Sequence, residues 1–168
     1  MQEIRGNLWH FVGNADCICI TTNASIKKNG RAVMGRGCAA EATTRYPEID
    51  LLLGKALKNG NKPYLLLVDQ YTEIWSFPVK EHNQYIYNPN KVVSHMRNAI
   101  PGIIPSWAQK ATLAQIESST RQLLEASKHW NKIILPRPGC GAGELSWETQ
   151  VRPLLAPLLD SRFYIITY

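Results

Sequence analysis

Pro136-Arg137-Pro138-Gly139-Cys140-Gly141-Ala142-Gly143-Glu144-Leu145-Ser146-Trp147 follows the apolar run Lys132-Ile133-Ile134-Leu135 and precedes a segment, Trp147 to Leu159, that reads as a helix. The order is strand, glycine-rich loop, helix. Glycines at 139, 141 and 143 leave backbone N–H groups uncovered. At a helix N-terminus such groups, reinforced by the helix dipole, cradle a phosphate. Glycine-rich turns also simply join strands to helices, so the meaning of this loop depends on what the rest of the chain supplies.

Upstream, Glu3-Ile4-Arg5 reads as a first short strand and Asp16 to Thr22 as a buried one, because its apolar run does not alternate. Arg36 to Arg45 reads as a helix. Pro47 opens another, with Ile49, Leu52, Leu53, Ala56 and Leu57 on one side and Asn59-Gly60 as its stop. Tyr64–Val68 and Glu73–Phe77 read as strands of a hairpin, Leu113–Lys128 as a helix, and Ile133–Leu135 and Phe163–Thr167 as the last strands. Strands and helices alternate in the second half, which predicts an α/β fold with a mixed, mostly parallel sheet covered by helices. Pro78 to Lys110 shows no convincing element and carries Pro89, Pro101 and Pro105. Connections that long are functional or mobile segments.

The 168 residues suit a single domain, 1–168, with a long insert at about 82–110. No apolar run is long enough for a transmembrane helix, and Met1-Gln2-Glu3-Ile4-Arg5 lacks the pattern of a signal peptide. Cys17, Cys19, Cys38 and Cys140 have no zinc-ligand spacing. They read as reduced thiols, in line with a cytoplasmic protein; with His10, His82, His95 and His129 scattered along the chain no metal site emerges, and no cofactor is expected. The net charge of +6 is compatible with an anionic ligand or nucleic acid.

A companion loop runs from Asn23 through Gly30 and Gly35 to Gly37, again between a buried strand and a helix. If the Asp16–Thr22 and Lys132–Leu135 strands are parallel neighbours, both loops lie on the rim where open α/β sheets bind ligands. Two backbone-donor loops facing one cleft suit a diphosphate. Neither loop carries a Walker or a Rossmann fingerprint.

Taken together, Gly6-Asn7-Leu8, Asn23, Val33-Met34-Gly35-Arg36-Gly37-Cys38-Ala39, Phe77-Pro78-Val79-Lys80 and Leu135-Pro136-Arg137-Pro138-Gly139-Cys140-Gly141 through Trp147 resemble the macro domain family, in family order and along the whole chain apart from about 82–110. The nearest branch contains the DNA ADP-ribosyl glycohydrolase antitoxins and the human terminal ADP-ribose glycohydrolase. The resemblance implies a three-layer fold, a mixed sheet between helices, with an ADP-ribose pocket. In it Asn7 and Leu8 would meet the adenine, with Tyr168 near its ring. Pro138, Gly139, Cys140, Gly141, Ala142 and Gly143 would wrap the diphosphate from one side, and Val33, Met34, Gly35 and Gly37 from the other. Asn23 would bond the distal ribose, and Lys80 would approach its anomeric carbon.

The implied activity is an ADP-ribosyl hydrolase acting on a nucleic acid or protein acceptor, with an ADP-ribosyltransferase toxin as a partner of that branch. A non-catalytic ADP-ribose reader and an ADP-ribose 1''-phosphate phosphatase remain alternatives. Asn23 also fits an Asx turn, and Arg137 fits either a phosphate or an ion pair with Glu144. The chain departs from the pattern at Gly143, where the human class has an aspartate, and at Glu81, where relatives have a basic residue. Tyr85, Tyr87, His95, Arg97, Trp107 and Lys110 in the insert fit either contact with single-stranded nucleic acid or a packing lid.

Overall fold

The computed structural model describes residues 1–168. Strand β2 (Cys17–Thr22) lies at its centre and is almost wholly buried. Its parallel neighbours are β7 (Ile133–Pro136) and β4 (Thr72–Pro78). Beyond β7 lie β8 (Phe163–Thr167) and β1 (Gln2–Arg5), both parallel, and β3 (Leu65–Asp69) closes the other edge antiparallel to β4. A strand buried on both faces needs no polar alternation, which is why the run Cys17-Ile18-Cys19-Ile20 is apolar throughout.

Successive β2 side chains point to opposite faces, and each face has its own core. Ile18 and Ile20 pack with Ala42, Ile49, Leu53 and Leu57 from α1 (Gly37–Arg45) and α2 (Ile49–Leu57). Cys17 and Cys19 pack with Ile116, Leu123, Trp147 and Leu155 on the other face. These come from α3 (Leu113–Ala126) and from the segment around α4 (Arg152–Leu155). The result is three layers with a mixed, mostly parallel sheet in the middle. The two thiols lie 3.9 Å apart on one face, and all four cysteines are free. Helix α3 starts where Thr112 accepts a hydrogen bond from the Gln115 N–H, and it buries Ile116, Ser119, Thr120 and Leu123 at helical spacing.

Three sequence expectations change. In α2, Leu52 turns outward and Gly54 joins Ile49, Leu53 and Leu57 on the buried side. The Gly54 Cα lies against the Gly30 carbonyl, where a Cβ would overlap it. The Trp147–Leu159 helix is shorter than expected: Trp147–Val151 is a π turn, and only Arg152–Leu155 is α-helical. Pro153 has no N–H to return to Thr149. The preceding amides of Val151 and Arg152 instead reach back five residues, to Ser146 and Trp147, and Pro157 stops the continuation.

Residues 82–110 are structured. Strands β5 (Gln84–Ile86) and β6 (Gly102–Ile104) form an antiparallel ribbon, and short 3₁₀ segments fill Pro89–Lys91, Ser94–Ala99 and Ser106–Ala108. Ile86, Val92, Ile104 and Ala108 make a small core of their own. Strands of three residues fall below the length at which periodicity can be read. No helix is long and apolar enough to cross a membrane.

Candidate functional site

The parallel pairing of β2 with β7 sets the Asn23–Gly37 loop and the Pro136–Ser146 loop side by side at the carboxyl ends of the strands. Between them lies a cavity of about 650 Å³, within the roughly 300–1,000 Å³ typical of small-molecule sites. Its wall includes Asn23, Val33, Met34, Gly35, Arg36, Gly37, Lys80, His95, Trp107, Gly139, Gly141, Ala142, Gly143, Glu144 and Tyr168.

The Pro136–Ser146 loop is shaped by its glycines. Gly139 has φ +75°, and a Cβ there would lie 2.8 Å from that of Ala111. At Gly143 a Cβ would lie 2.5 Å from the Gly139 oxygen and 2.6 Å from the Ala111 Cβ. The Gly143 carbonyl accepts from the Ala111 N–H, fixing the loop against α3's approach. The amides of Gly141, Ala142 and Gly143 make no hydrogen bond within the protein. Across the cavity the same holds for Met34, Gly35, Arg36 and Gly37 at the start of α1. Two rows of free donors, one at a helix N-terminus, form an anion cradle.

Lys80 lies two residues past the end of β4 and is only 6% exposed. Its Nζ donates to the carbonyls of Trp107 (2.8 Å) and Ala142 (3.2 Å). Burial lowers its pKa from 10.5 to about 8; Glu144 opposes that shift, and Arg36 adds to it. Asn23 forms the Asx turn that its sequence position also fits. Its Oδ1 accepts from the Ser25 N–H and its Nδ2 donates to the Val33 carbonyl, both at 2.9 Å, while the side chain lines the cavity. One N–H and one lone pair remain for a ligand.

Glu144 adopts φ +58° and turns towards the 82–110 segment. Its carboxylate accepts from the Ser94 N–H and Oγ and pairs with Lys110 at 3.5 Å. The Ser94 amide, chiefly, holds its pKa below the usual carboxylate range. Arg137 pairs with Glu3 at 3.1 Å and lies over Trp147, and does not pair with Glu144. A second cavity, of about 620 Å³, lies beyond Glu144 and is lined by residues such as His82, Lys91 and Gln109. Several of its polar groups are already bonded to one another, as Gln84 is to Gln109 and Thr112 to Glu81.

Four predicted residues lie outside the main cavity wall. Asn7 caps the turn Leu8–Phe11 by accepting from the Trp9 N–H, and Leu8 is buried in the core. Pro138 is buried in the loop, and its carbonyl accepts from the Cys140 thiol, which burial pushes up to about 11. Tyr168 reaches the wall though 67% exposed, with its hydroxyl donating to Glu41. Sequence reasoning missed Arg36, His95 and Trp107 as wall residues. Arg36 had a readable signal, a cation between two loop glycines at a helix start. His95 and Trp107 had none, because only tertiary folding brings 82–110 to the rim.

No family model and no curated protein matches the chain. Solved structures do. The DarG macrodomain of Mycobacterium tuberculosis superposes with a TM-score of 0.67 at 22% identity, covering 99% of this chain and 97% of that one. The DarG macrodomain of Thermus aquaticus gives 0.67 at 20% identity, with the same coverage. DarTG of Thermosipho africanus, solved in complex with ADP-ribose, gives 0.68 at 21% identity, covering 98% of this chain and 41% of that longer one. The chain has the macrodomain fold of these proteins.

Proposed function

We propose that the protein binds ADP-ribose in the 650 Å³ cavity and removes it from an acceptor as an ADP-ribosyl glycohydrolase. The observation that carries this reading is Lys80, a buried amine of lowered pKa set between two rows of free backbone donors. The rows suit the two phosphates, with Arg36 as a nearby cation. The Thermosipho neighbour's bound ADP-ribose supports the ligand class. Asn23 would hold the distal ribose hydroxyls, placing the anomeric carbon beside Lys80.

In this reading the neutral Lys80 amine attacks the anomeric carbon. A carbon–nitrogen bond forms and the bond to the acceptor breaks. The acceptor leaves with the bonding pair and takes up a proton released from the alkylated amine. Water then hydrolyses the adduct, returning the lysine and free ADP-ribose. Gly143 cannot carry a side chain in this loop, so the amine works without an acid there. That feature favours the second reading, a reader in which Lys80 serves only as a charge.

For the acceptor we favour single-stranded nucleic acid over a carboxylate side chain. Residues 82–110 contain Lys91, Arg97 and Lys110 and no Asp or Glu. Their ribbon exposes Tyr85, Tyr87 and Ile103, and exposed aromatics beside cations stack bases and meet phosphates. An ADP-ribosyltransferase is the matching partner, since it would make the substrate. The test is calorimetry with free ADP-ribose, followed by incubation with ADP-ribosylated oligonucleotide and ADP-ribosylated protein. Binding with release of ADP-ribose from the oligonucleotide is expected. Binding without release from either substrate would leave the reader, and no binding would end both readings.

A further inference from the structure

We infer that the Ser106–Trp107 turn is a positioning element for Lys80, held in place by the hydroxyls of Ser25 and Ser106. For its catalytic consequence the inference rests on the hydrolase reading.

A neutral lysine amine has two N–H bonds and one lone pair. The Lys80 Nζ has two acceptors, the carbonyls of Trp107 at 2.8 Å and Ala142 at 3.2 Å. When both N–H bonds are so held, the lone pair has one remaining direction. The Ala142 carbonyl belongs to the ligand-cradling loop itself. The Trp107 carbonyl comes from a segment 27 residues on, and its position must be fixed by something else.

That fixing is reciprocal. The Trp107 N–H donates to the Ser25 Oγ at 3.2 Å, and the Ala24 N–H donates to the Ser106 Oγ at 2.9 Å. The Ser106 N–H is held by the Asn83 side chain at 2.8 Å. Both serines are buried, Ser25 at 5% and Ser106 at 0% exposure. Ser25 is in turn set by Asn23, whose amide also holds the Val33 carbonyl. One chain of hydrogen bonds therefore runs from the Val33 carbonyl, next to the Met34–Gly37 donor row, through Asn23, Ser25 and Trp107, to the amine. The turn also covers Lys80, and burial is the largest cause of its lowered pKa. The other charged or titratable groups on this cavity are Glu144 from the opposite loop, Arg36 and Cys38 from the α1 start, His95, Arg137 and Tyr168.

The experiment follows Lys80 directly. Trace acetylation across pH, read by mass spectrometry at Lys80, gives its titration midpoint without requiring turnover. The wild type is expected near 8. Ser25→Ala and Ser106→Ala loosen the turn and admit water. Each should move the midpoint up by at least one pH unit, so that at pH 7 the neutral amine and kcat both fall about tenfold, with KM within twofold. The deficit in kcat should shrink above pH 9. Ser25→Thr and Ser106→Thr keep the hydroxyl and should titrate as the wild type does, and thermal melts establish that each variant folds. An unchanged midpoint in both folded alanine variants would overturn the inference, as would threonine variants impaired as much as alanine ones. If the midpoint moves as expected but no variant and no wild type releases ADP-ribose, the positioning stands and the hydrolase reading falls.

Discussion

Lys80 carries a cost that the fold must bear. Its pKa in the folded protein is about 8, below the ordinary 10.5 that it regains on unfolding. Between those values the unfolded chain binds more protons, so stability rises with pH through that window. Below pH 8 the full penalty applies, about 3 kcal/mol. Lys80→Met removes the titration. Urea unfolding at pH 7 and pH 10 should therefore show the wild type gaining on the variant as pH rises, by about that amount. A difference between the two that is flat with pH would mean that the amine is not desolvated. Arg36 makes no hydrogen bond or ion pair through its side chain and stands beside the free amides of its own turn. Arg36→Ala should weaken ADP-ribose binding about tenfold in calorimetry, or about 1.5 kcal/mol, the scale of a hydrogen bond to a charged group. The loss should narrow at high salt.

At the scale of elements, the site depends on two loops being pressed onto neighbours through glycines. Gly54 lets the Asn23–Gly37 loop dock on α2, and Gly143 lets the other loop close on Ala111. Gly54→Ala and Gly143→Ala should each destabilise the protein by about 1–3 kcal/mol, as overpacking does, measured by chemical denaturation. The same substitution at Gly35 or Gly141, where a Cβ meets nothing within 4 Å, should cost much less. The β2 and β7 strands and α3 announced themselves through unbroken apolar runs or helical spacing. The Trp147–Leu159 segment has helical spacing too, but Pro153 and Pro157 remove donors that the pattern does not record. The three-residue strands β5 and β6 exist because each other's backbone and a small core complete them, which no local window contains.

Across the whole molecule, a central parallel pair of strands delivers two donor loops to one rim, and a segment folded from residues 82–110 covers the lysine between them. The loops were legible as candidates in their glycines, placed where amides must be bare, and Lys80 was legible only through the family resemblance, a lysine after a strand end being by itself an ordinary solvated cation. Trp107 and Ser106 were not, since their part in the site is a carbonyl and a buried hydroxyl, to which sequence pattern is blind. Asn7 and Leu8, which the resemblance sets at the adenine, fall outside the cavity wall: the Asn7 Oδ1 caps the Leu8–Phe11 turn, and Leu8 is buried in the core. The most direct test of Lys80 as the group that frees ADP-ribose is a time course of release from an ADP-ribosylated single-stranded oligonucleotide at pH 8. Wild type and Lys80→Ala should be compared at equal occupancy by ADP-ribose. The account predicts release by the wild type and a loss of at least a hundredfold in the variant, with binding of free ADP-ribose kept within a few fold. Equal release by both proteins would contradict it.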